Sequence, residues 1–348
     1  MVIIMEPGAT AAQVKTVIEE IERAGFRAFV NPGVERKVIA LLGAMDVQKA
    51  QLADHFAALA GVARVSRISE PYKLVARATQ PEGSRIKVGA VEIGGPALAI
   101  IAGPCSVESR SQLMETALMV KAAGANILRG GAFKPRSSPY SFQGLGKEGL
   151  EILAAARAEV NLPFVTEVME VDEVELVAEY ADMLQIGARN MQNYRLLQRV
   201  GRMDMPVLLK RGSGCRIRDL LMAAEYIMVE GNHRVVLCER GITTFEDSTR
   251  FTLDISAVPV IKHLSHLPVI VDPSHSAGEW RYVSPLALAA IAAGADGLLV
   301  EVHPDPPSAL SDGPQALKPE RFRALVANIA RIAPPLGRTI PFTQAFDG

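Results

Sequence analysis

From residue 97 onward the chain alternates short apolar runs with stretches of helical periodicity, and this alternation limits the fold more than any other feature. Strand-length runs stand at 98–103, 126–130, 164–168, 183–187, 206–210, 235–239, 268–272 and 297–301. Helical patterns follow near 109–123, 147–159, 171–180, 191–200, 218–230, 253–263, 284–293 and 319–332. Near-continuous apolar strands separated by helices indicate a parallel sheet covered on both faces. Eight such pairs in about 250 residues are the count of a (β/α)8 TIM barrel, an α/β fold. A doubly wound open sheet would usually carry a glycine-rich turn after its first strand, and Gly103-Pro104-Cys105 is not one.

A different pattern precedes the barrel. Residues 1–5 read as a strand, and Thr10 caps a helix with Val14, Val17, Ile18 and Ile21 at helical spacing before Gly25 ends it. Strand-like runs at 26–30 and 37–42 flank the turn Asn31-Pro32-Gly33. A helix at 47–59 carries Leu52, Phe56 and Leu59 on one face, and a last strand covers 62–68. The order βαββαβ is that of a ferredoxin-like, ACT-like unit. The expected division is a regulatory domain over 1–70, a polar, Pro-containing linker over 71–84 and a catalytic barrel over 85–340, opening with a hairpin at 85–93.

Cys105, His275 and Glu301 each stand just past an apolar strand, and Asp312 follows in Leu310-Ser311-Asp312-Gly313-Pro314. In a barrel such strand ends converge on one face, where the chemistry is kept. A thiolate, an imidazole and two carboxylates form a mixed donor set suited to a divalent ion such as Mn, Fe, Co or Zn. Four such residues prove little alone, because buried cysteines and solvated carboxylates are common. The cations between them give the set weight. Arg129, Lys134 and Arg136 lie in Leu128-Arg129-Gly130-Gly131-Ala132-Phe133-Lys134-Pro135-Arg136, Arg189 follows Gln185-Ile186-Gly187-Ala188, Lys210 and Arg211 end one strand, and Arg240 ends another. A basic residue past a strand is usually a solvated loop charge. Several at one barrel mouth repel one another and call for anions, and arginine forks and lysine point charges suit phosphate and carboxylate groups. Small phosphorylated substrates are expected.

The bulk charge is balanced, with 37 basic and 38 acidic residues, so these cations stand out from a neutral background. A net charge of −1 and an aromatic content of 5% argue against nucleic-acid or anionic-membrane binding as the main function. Cys105, Cys215 and Cys238 form no CxxC and leave one thiol over, unlike a secreted disulfide framework. The start Met1-Val2-Ile3-Ile4-Met5-Glu6-Pro7-Gly8 lacks a basic leader region, and the apolar stretch 286–300 is broken by Gly294 and Asp296. A cytoplasmic location with no membrane partner is expected.

The motifs Ile101-Ala102-Gly103-Pro104-Cys105-Ser106, Arg129-Gly130-Gly131-Ala132-Phe133-Lys134-Pro135-Arg136-Ser137-Ser138-Pro139, Gln185-Ile186-Gly187-Ala188-Arg189, Cys238-Glu239-Arg240-Gly241, Asp272-Pro273-Ser274-His275-Ser276 and Glu301-Val302-His303-Pro304 together resemble one family. It is that of the 3-deoxy-D-arabino-heptulosonate 7-phosphate (DAHP) synthases, in the short form with an N-terminal ferredoxin-like domain. The resemblance is strong over 97–317 and looser before 70. It implies condensation of phosphoenolpyruvate with erythrose 4-phosphate, the entry to the shikimate pathway. It places the metal ligands on Cys105, His275, Glu301 and Asp312 and the phosphoenolpyruvate contacts on Arg129, Lys134, Arg189, Lys210 and Arg240. The aldose phosphate falls to Lys134, Pro135, Arg136 and Ser137, and Glu167 matches the acidic residue near the attacked carbon. Lys134, Glu167 and Lys210 are the implied catalytic residues. A homotetramer and an aromatic amino-acid effector are implied as well.

The chain departs from the family in the loops 212–217 and 244–250. It also has Phe29-Val30-Asn31-Pro32 where feedback-sensitive relatives tend to show His and Ser, which leaves the effector open. Two other readings compete. A 3-deoxy-D-manno-octulosonate 8-phosphate synthase would use arabinose 5-phosphate, but that type carries an Asn-Arg-Ser-Ser-like segment in place of Lys-Pro-Arg-Ser. A non-catalytic barrel would be expected to have lost at least one ligand. Among the remaining polar residues, Asp272 is placed to orient a ligand, and His303 shares the strand face of Glu301. His55, His233, His263 and His266 read as surface or helix-end residues.

Overall fold

The computed structural model describes residues 1–31, 37–42, 46–66, 71–135 and 138–340. Two compact units emerge, one of Met1–Ser84 with His263–His266, the other of Arg85–Lys262 with the chain from Leu267 on.

The first unit contains β1 (Val2–Met5), α1 (Ala11–Arg23), β2 (Arg27–Asn31), β3 (Val38–Leu42), α2 (Asp46–Ala57) and β4 (Val62–Ser66). Its sheet has the order β2-β3-β1-β4, all antiparallel, so the expected βαββαβ ferredoxin-like unit is present. Thr10 and Gln13 form a reciprocal capping box at the start of α1: the Thr10 hydroxyl accepts from the Gln13 N–H at 3.2 Å and the Gln13 amide oxygen from the Thr10 N–H at 2.8 Å. Val14, Val17 and Ile21 then recur on one helix face and bury against Ile3, Met5, Ile39 and Phe56.

The segment 71–84 differs from a polar linker. Tyr72, Leu74 and Val75 are buried, and the segment clusters with this unit. His266, expected at the surface, is also buried. Its Nε2 lies 2.6 Å from the Leu74 carbonyl and its Nδ1 2.7 Å from the Ser84 hydroxyl. A ring satisfied at both nitrogens is a common way to bury a histidine, and a lone His in sequence gives no sign of it.

The second unit opens with the hairpin β5 (Ile86–Val88) and β6 (Val91–Ile93). The barrel strands are β7 (Ala99–Gly103), β8 (Ile127–Arg129), β9 (Phe164–Glu167), β10 (Met183–Ile186), β11 (Val207–Lys210), β12 (Val235–Glu239), β13 (Val269–Val271) and β14 (Gly297–Glu301). All run parallel and close through β14–β7, with Leu298 opposite Ile100 and Glu301 opposite Gly103. The helices between them are α3 (Arg110–Ala122), α4 (Lys147–Val160), α5 (Val174–Tyr180), α6 (Tyr194–Gly201), α7 (Ile217–Val229) and α8 (Ala257–Leu264). Two helices, α9 (Pro273–Ala277) and α10 (Trp280–Ala292), follow β13, and α11 (Pro319–Ile332) comes after β14. The eight strands and eight main helices stand where the periodicity put them. The short α9 was not legible, because five residues are too few for a periodic signal.

Strand alternation sorts the barrel's side chains into an inner and an outer layer. Ile101, Ile127, Val165, Leu208, Val236, Ile270 and Leu299 form the inner core with Ile86, Val88 and Ile93 of the hairpin. Gly103 is required by packing: a Cβ there would collide with the Arg129 carbonyl oxygen between β7 and β8. Among the described residues no helix is long and apolar enough to cross a membrane. Ile101 is fully enclosed, so Ile101→Ala should cost about 2–5 kcal/mol of stability; urea unfolding checks this, and a change below about 1 kcal/mol would show that the inner layer collapses around the void.

Candidate active site at the barrel mouth

The strand ends carry polar residues that the apolar strands could not bury unpaired, and they gather around a cavity of about 400 Å³. Cys105, Arg129, Lys134, Pro135, Glu167, Arg189, Lys210, Arg240, His275 and Asp312 all line it. Glu301 does not line it and is buried at the end of β14. Arg136 and Ser137 lie outside the described residues.

Cys105, His275, Glu301 and Asp312 can each present one ligand atom such that all four atoms lie within 4.8 Å of one another. Local structure sets their aim. Asp272 caps α9, accepting from the His275 N–H at 2.9 Å, and the same carboxylate lies 2.6 Å from His275 Nδ1. That leaves His275 Nε2 facing Glu301 Oε1 at 3.3 Å. A carboxylate behind a histidine fixes the tautomer and ring orientation a metal ligand needs. Burial, opposed by Asp272, pushes the His275 pKa down to about 4, which keeps the ring neutral at neutral pH. Burial and the nearby Glu301 charge push the Cys105 thiol up to about 12, and its S–H donates to Asp312 Oδ2 at 3.0 Å.

The donor set fits a divalent cation, and one cation already points into it. Lys134 Nζ is 2.5 Å from Cys105 Sγ and 3.2 Å from Asp312 Oδ2. Burial opposes the Lys134 charge, but the surrounding anionic groups outweigh it and hold the ammonium protonated. For Asp312, burial is likewise overcome by Lys134, which keeps the carboxyl well below the usual range.

The remaining cations divide into paired and unpaired. Arg129 donates to Glu301 Oε1 at 2.7 Å, and buried Lys210 is ion-paired with Asp272. Arg189 is exposed and donates to the Pro135 carbonyl at 3.1 Å. Arg240 is only 8% exposed, yet it has neither a hydrogen bond nor an ion pair among the described residues. Its guanidinium stacks on Phe251 at 4.5 Å from the ring centroid. Burial pushes its pKa down; the Asp272 charge opposes that, and Arg250 and Arg189 add to it.

Glu167 also lines the cavity and accepts from Gln185 Nε2 at 3.1 Å. Gly187 leaves room for it, since a Cβ there would collide with the Glu167 carboxylate. The sequence reading missed Gln185, Arg250 and Phe251, all of which line the cavity. For Gln185 a signal existed, a polar residue within the apolar run of β10 and two residues from Gly187. Arg250 and Phe251 lie far along a loop, where spacing carries no information. Arg211 was grouped with the mouth cations, but it turns away into a buried pair with Glu239 at 2.9 Å and Asp254 at 2.8 Å. His303 does not share the Glu301 environment either. Its Nδ1 accepts from the Asp305 N–H at 3.0 Å and its Nε2 lies 3.5 Å from Glu108, because regular alternation ends with β14.

A closed parallel barrel that gathers a candidate metal cage and a cluster of cations at the C-terminal ends of its strands is an arrangement that enzymes use for their chemistry. The chain belongs to the DAHP synthetase I family, whose model matches residues 73–332, while a model described as the DAHP synthase ferredoxin-like domain matches residues 1–70. It is 50% identical over 337 residues to a phospho-2-dehydro-3-deoxyheptonate aldolase of Thermotoga maritima, covering 97% of this chain and 99% of that one. The crystal structure of that Thermotoga enzyme, a DAHP synthase, superposes with a TM-score of 0.77 at 49% identity, covering 97% of this chain and 98% of the other. A 2-dehydro-3-deoxyphosphooctonate aldolase of Koribacter versatilis is more distant, 34% identical over 71% of this chain and 95% of its own.

The fit between Gly187 and Glu167 is directly testable. Gly187→Ala should push the flexible end of Glu167 aside at a cost of about 0.5–1 kcal/mol, and adding Glu167→Ala should recover most of that loss. Urea unfolding of the two single variants and the double variant measures the coupling; additive effects would mean that the two residues do not meet.

Proposed function

We propose that the chain is a 3-deoxy-7-phosphoheptulonate synthase, condensing phosphoenolpyruvate with erythrose 4-phosphate and releasing inorganic phosphate at the start of aromatic amino-acid synthesis. The observation that carries this reading is Arg240. A buried cation with no ion pair or hydrogen bond of its own costs several kcal/mol, on the order of 3–5 when a pair is broken; Arg240 feels the Asp272 charge, but that carboxylate is already taken by His275 and Lys210. Such a cost is accepted where an anion completes the site.

In this reading Arg240 and Arg189 hold the phosphate of phosphoenolpyruvate, with Arg129, Lys134 and Lys210 completing the clamp. The segment Lys134-Pro135-Arg136-Ser137 grips the aldose phosphate. The Arg189–Pro135 hydrogen bond ties the two substrate regions together, fixing both anions in a reacting geometry that free encounter rarely gives. Cys105, His275, Glu301 and Asp312 would hold a divalent cation, which when bound supplies a Lewis acid to polarise the acceptor aldehyde. Carbon 3 of phosphoenolpyruvate then bonds to the aldehyde carbon, and carbon 2 becomes electron-poor. Glu167 and Lys210 hold the water that adds there, and the Glu167 carboxylate accepts its proton. The phosphate leaves with the electrons of its C–O bond and takes the proton of the added hydroxyl as carbon 2 becomes a ketone, and the proton held by Glu167 passes to the acceptor's oxygen, which becomes a hydroxyl.

Phosphate release from phosphoenolpyruvate should require erythrose 4-phosphate, stop on chelation and return with added Mn²⁺. Cys105→Ala should abolish it while the barrel stays folded by circular dichroism. Arg240→Gln should raise the KM for phosphoenolpyruvate by about tenfold or more, the loss of a charge-assisted contact of about 1.5–3 kcal/mol. Turnover with arabinose 5-phosphate but not erythrose 4-phosphate would assign the octulosonate reaction instead.

The N-terminal unit holds none of these residues. We read it as a regulatory module that binds an aromatic amino acid between paired copies in a cytoplasmic homotetramer. Inhibition requires different effector affinity in two states. Removing residues 1–70, while keeping the buried Tyr72, Leu74 and Val75, should leave an active enzyme that tyrosine and phenylalanine no longer inhibit. Inhibition that survives truncation, or none in the full chain, would overturn this reading.

A further inference from the structure

Both carboxylates of the four-residue cage use one oxygen inside it and one outside. Glu301 Oε1 faces the cage, 3.3 Å from His275 Nε2 and accepting from Arg129 at 2.7 Å, while Oε2 accepts from Gln315 Nε2 at 2.7 Å. Asp312 Oδ2 faces Cys105 Sγ at 3.0 Å, while Oδ1 accepts from Arg250 Nη1 at 3.2 Å. The two outer partners are themselves joined, since the same Arg250 nitrogen donates to Gln315 Oε1 at 2.9 Å. Gln315 is 2% exposed, so its amide has no water to fall back on and both of its ends are committed.

The three residues come from separate places in the fold. Arg250 belongs to the loop between β12 and α8, tied down through its own N–H to the Ala277 carbonyl at 3.2 Å. Gln315 lies three residues beyond Asp312, in a turn where the Gln315 N–H donates to the Asp312 carbonyl at 3.2 Å. Asp312 itself holds a left-handed backbone conformation with φ 50°, uncommon outside glycine and a sign that surrounding contacts impose it. Two more hydrogen bonds brace the same loop: Ser106 to Ser311 at 2.6 Å, and the Leu310 N–H to Glu108 at 2.8 Å.

We propose that Arg250 and Gln315 are a positioning pair that holds Glu301 and Asp312 as one-oxygen ligands and thereby sets the cage's affinity for its divalent cation. Neither residue is a ligand. A free carboxylate can offer both oxygens or swing away, and tying the outer oxygen removes both options. The pair also links the β12–α8 loop, which carries Phe251 over Arg240, to the two carboxylates, so that cation binding and the order of this loop depend on each other.

This inference rests on the reading of Cys105, His275, Glu301 and Asp312 as a metal cage, and the experiment separates the two. The full-length apo-protein is titrated with Co²⁺, following thiolate-to-metal absorption, and with Mn²⁺ by calorimetry. The wild type should bind one ion per chain. Gln315→Met and Arg250→Met should each weaken binding by about 10–100-fold and alter the Co²⁺ spectrum. Arg250→Lys should recover part of the loss, and the double variant should be less weakened than the product of the singles. Arg250 is partly exposed, so its variants test the pair even if Gln315→Met fails to fold. Failure of the wild type to bind either ion overturns the cage and this inference with it. Wild-type binding with affinities and spectra unchanged in folded Arg250→Met overturns the positioning pair alone.

Discussion

The barrel mouth depends on one buried carboxylate. Asp272 is fully enclosed, and it receives the His275 backbone N–H, the His275 ring and the Lys210 ammonium. Burial alone would raise its pKa, but the His275 and Lys210 partners reverse that and hold it well below the usual carboxylate range. One charge thus caps α9, fixes the tautomer of a cage residue and keeps a lysine at the cavity wall. Losing it would leave a buried ammonium unpaired, at a cost of several kcal/mol, on the order of 3–5. The stability of the mouth and the geometry of its chemistry are therefore the same interaction.

Around this centre the site separates charge by layer. Anionic groups converge on the cage, where Arg129 and Lys134 balance Glu301 and Asp312. Arg189 and Arg240 are left without carboxylate partners among the described residues, facing the cavity. Strand alternation makes this possible. At the ends of β11 and β12, Lys210 and Arg240 line the cavity while their chain neighbours Arg211 and Glu239 pair with each other. Two adjacent cations on one strand end can then have opposite placements, one at the cavity and one bracing the frame.

Much of this was legible from residues alone. The periodicity located all eight barrel strands because each is buried on both faces and bounded by Gly, Pro or charged residues. Cys105, His275 and Glu301 were legible as a group, since each stands at or just past a strand end that delivers it to the same face, while Asp312 stood out only through its motif. Less legible were contacts made by residues that carry no periodic signal. His266 reads as a helix-end residue but is buried against Leu74 and Ser84. His303 reads as a neighbour of Glu301 but faces Glu108 once the strand has ended. The segment 71–84 reads as a linker because its polar residues outnumber its anchors, yet the buried Tyr72, Leu74 and Val75 anchor it.

The sequence by itself determined the barrel and the ferredoxin-like unit, and it singled out the four residues and most of the cations that meet at the barrel mouth. These follow from hydrophobic period and from chemistry placed at strand ends, both of which are local. Only the tertiary structure decided which cations are paired and which are left for a ligand, because pairing joins residues as distant as Arg129 and Glu301. It also decided that Gln185, Arg250 and Gln315 belong to the site. Their positions are set by loop paths and by the satisfaction of buried polar atoms, and that balance exists only once the chain has closed around them.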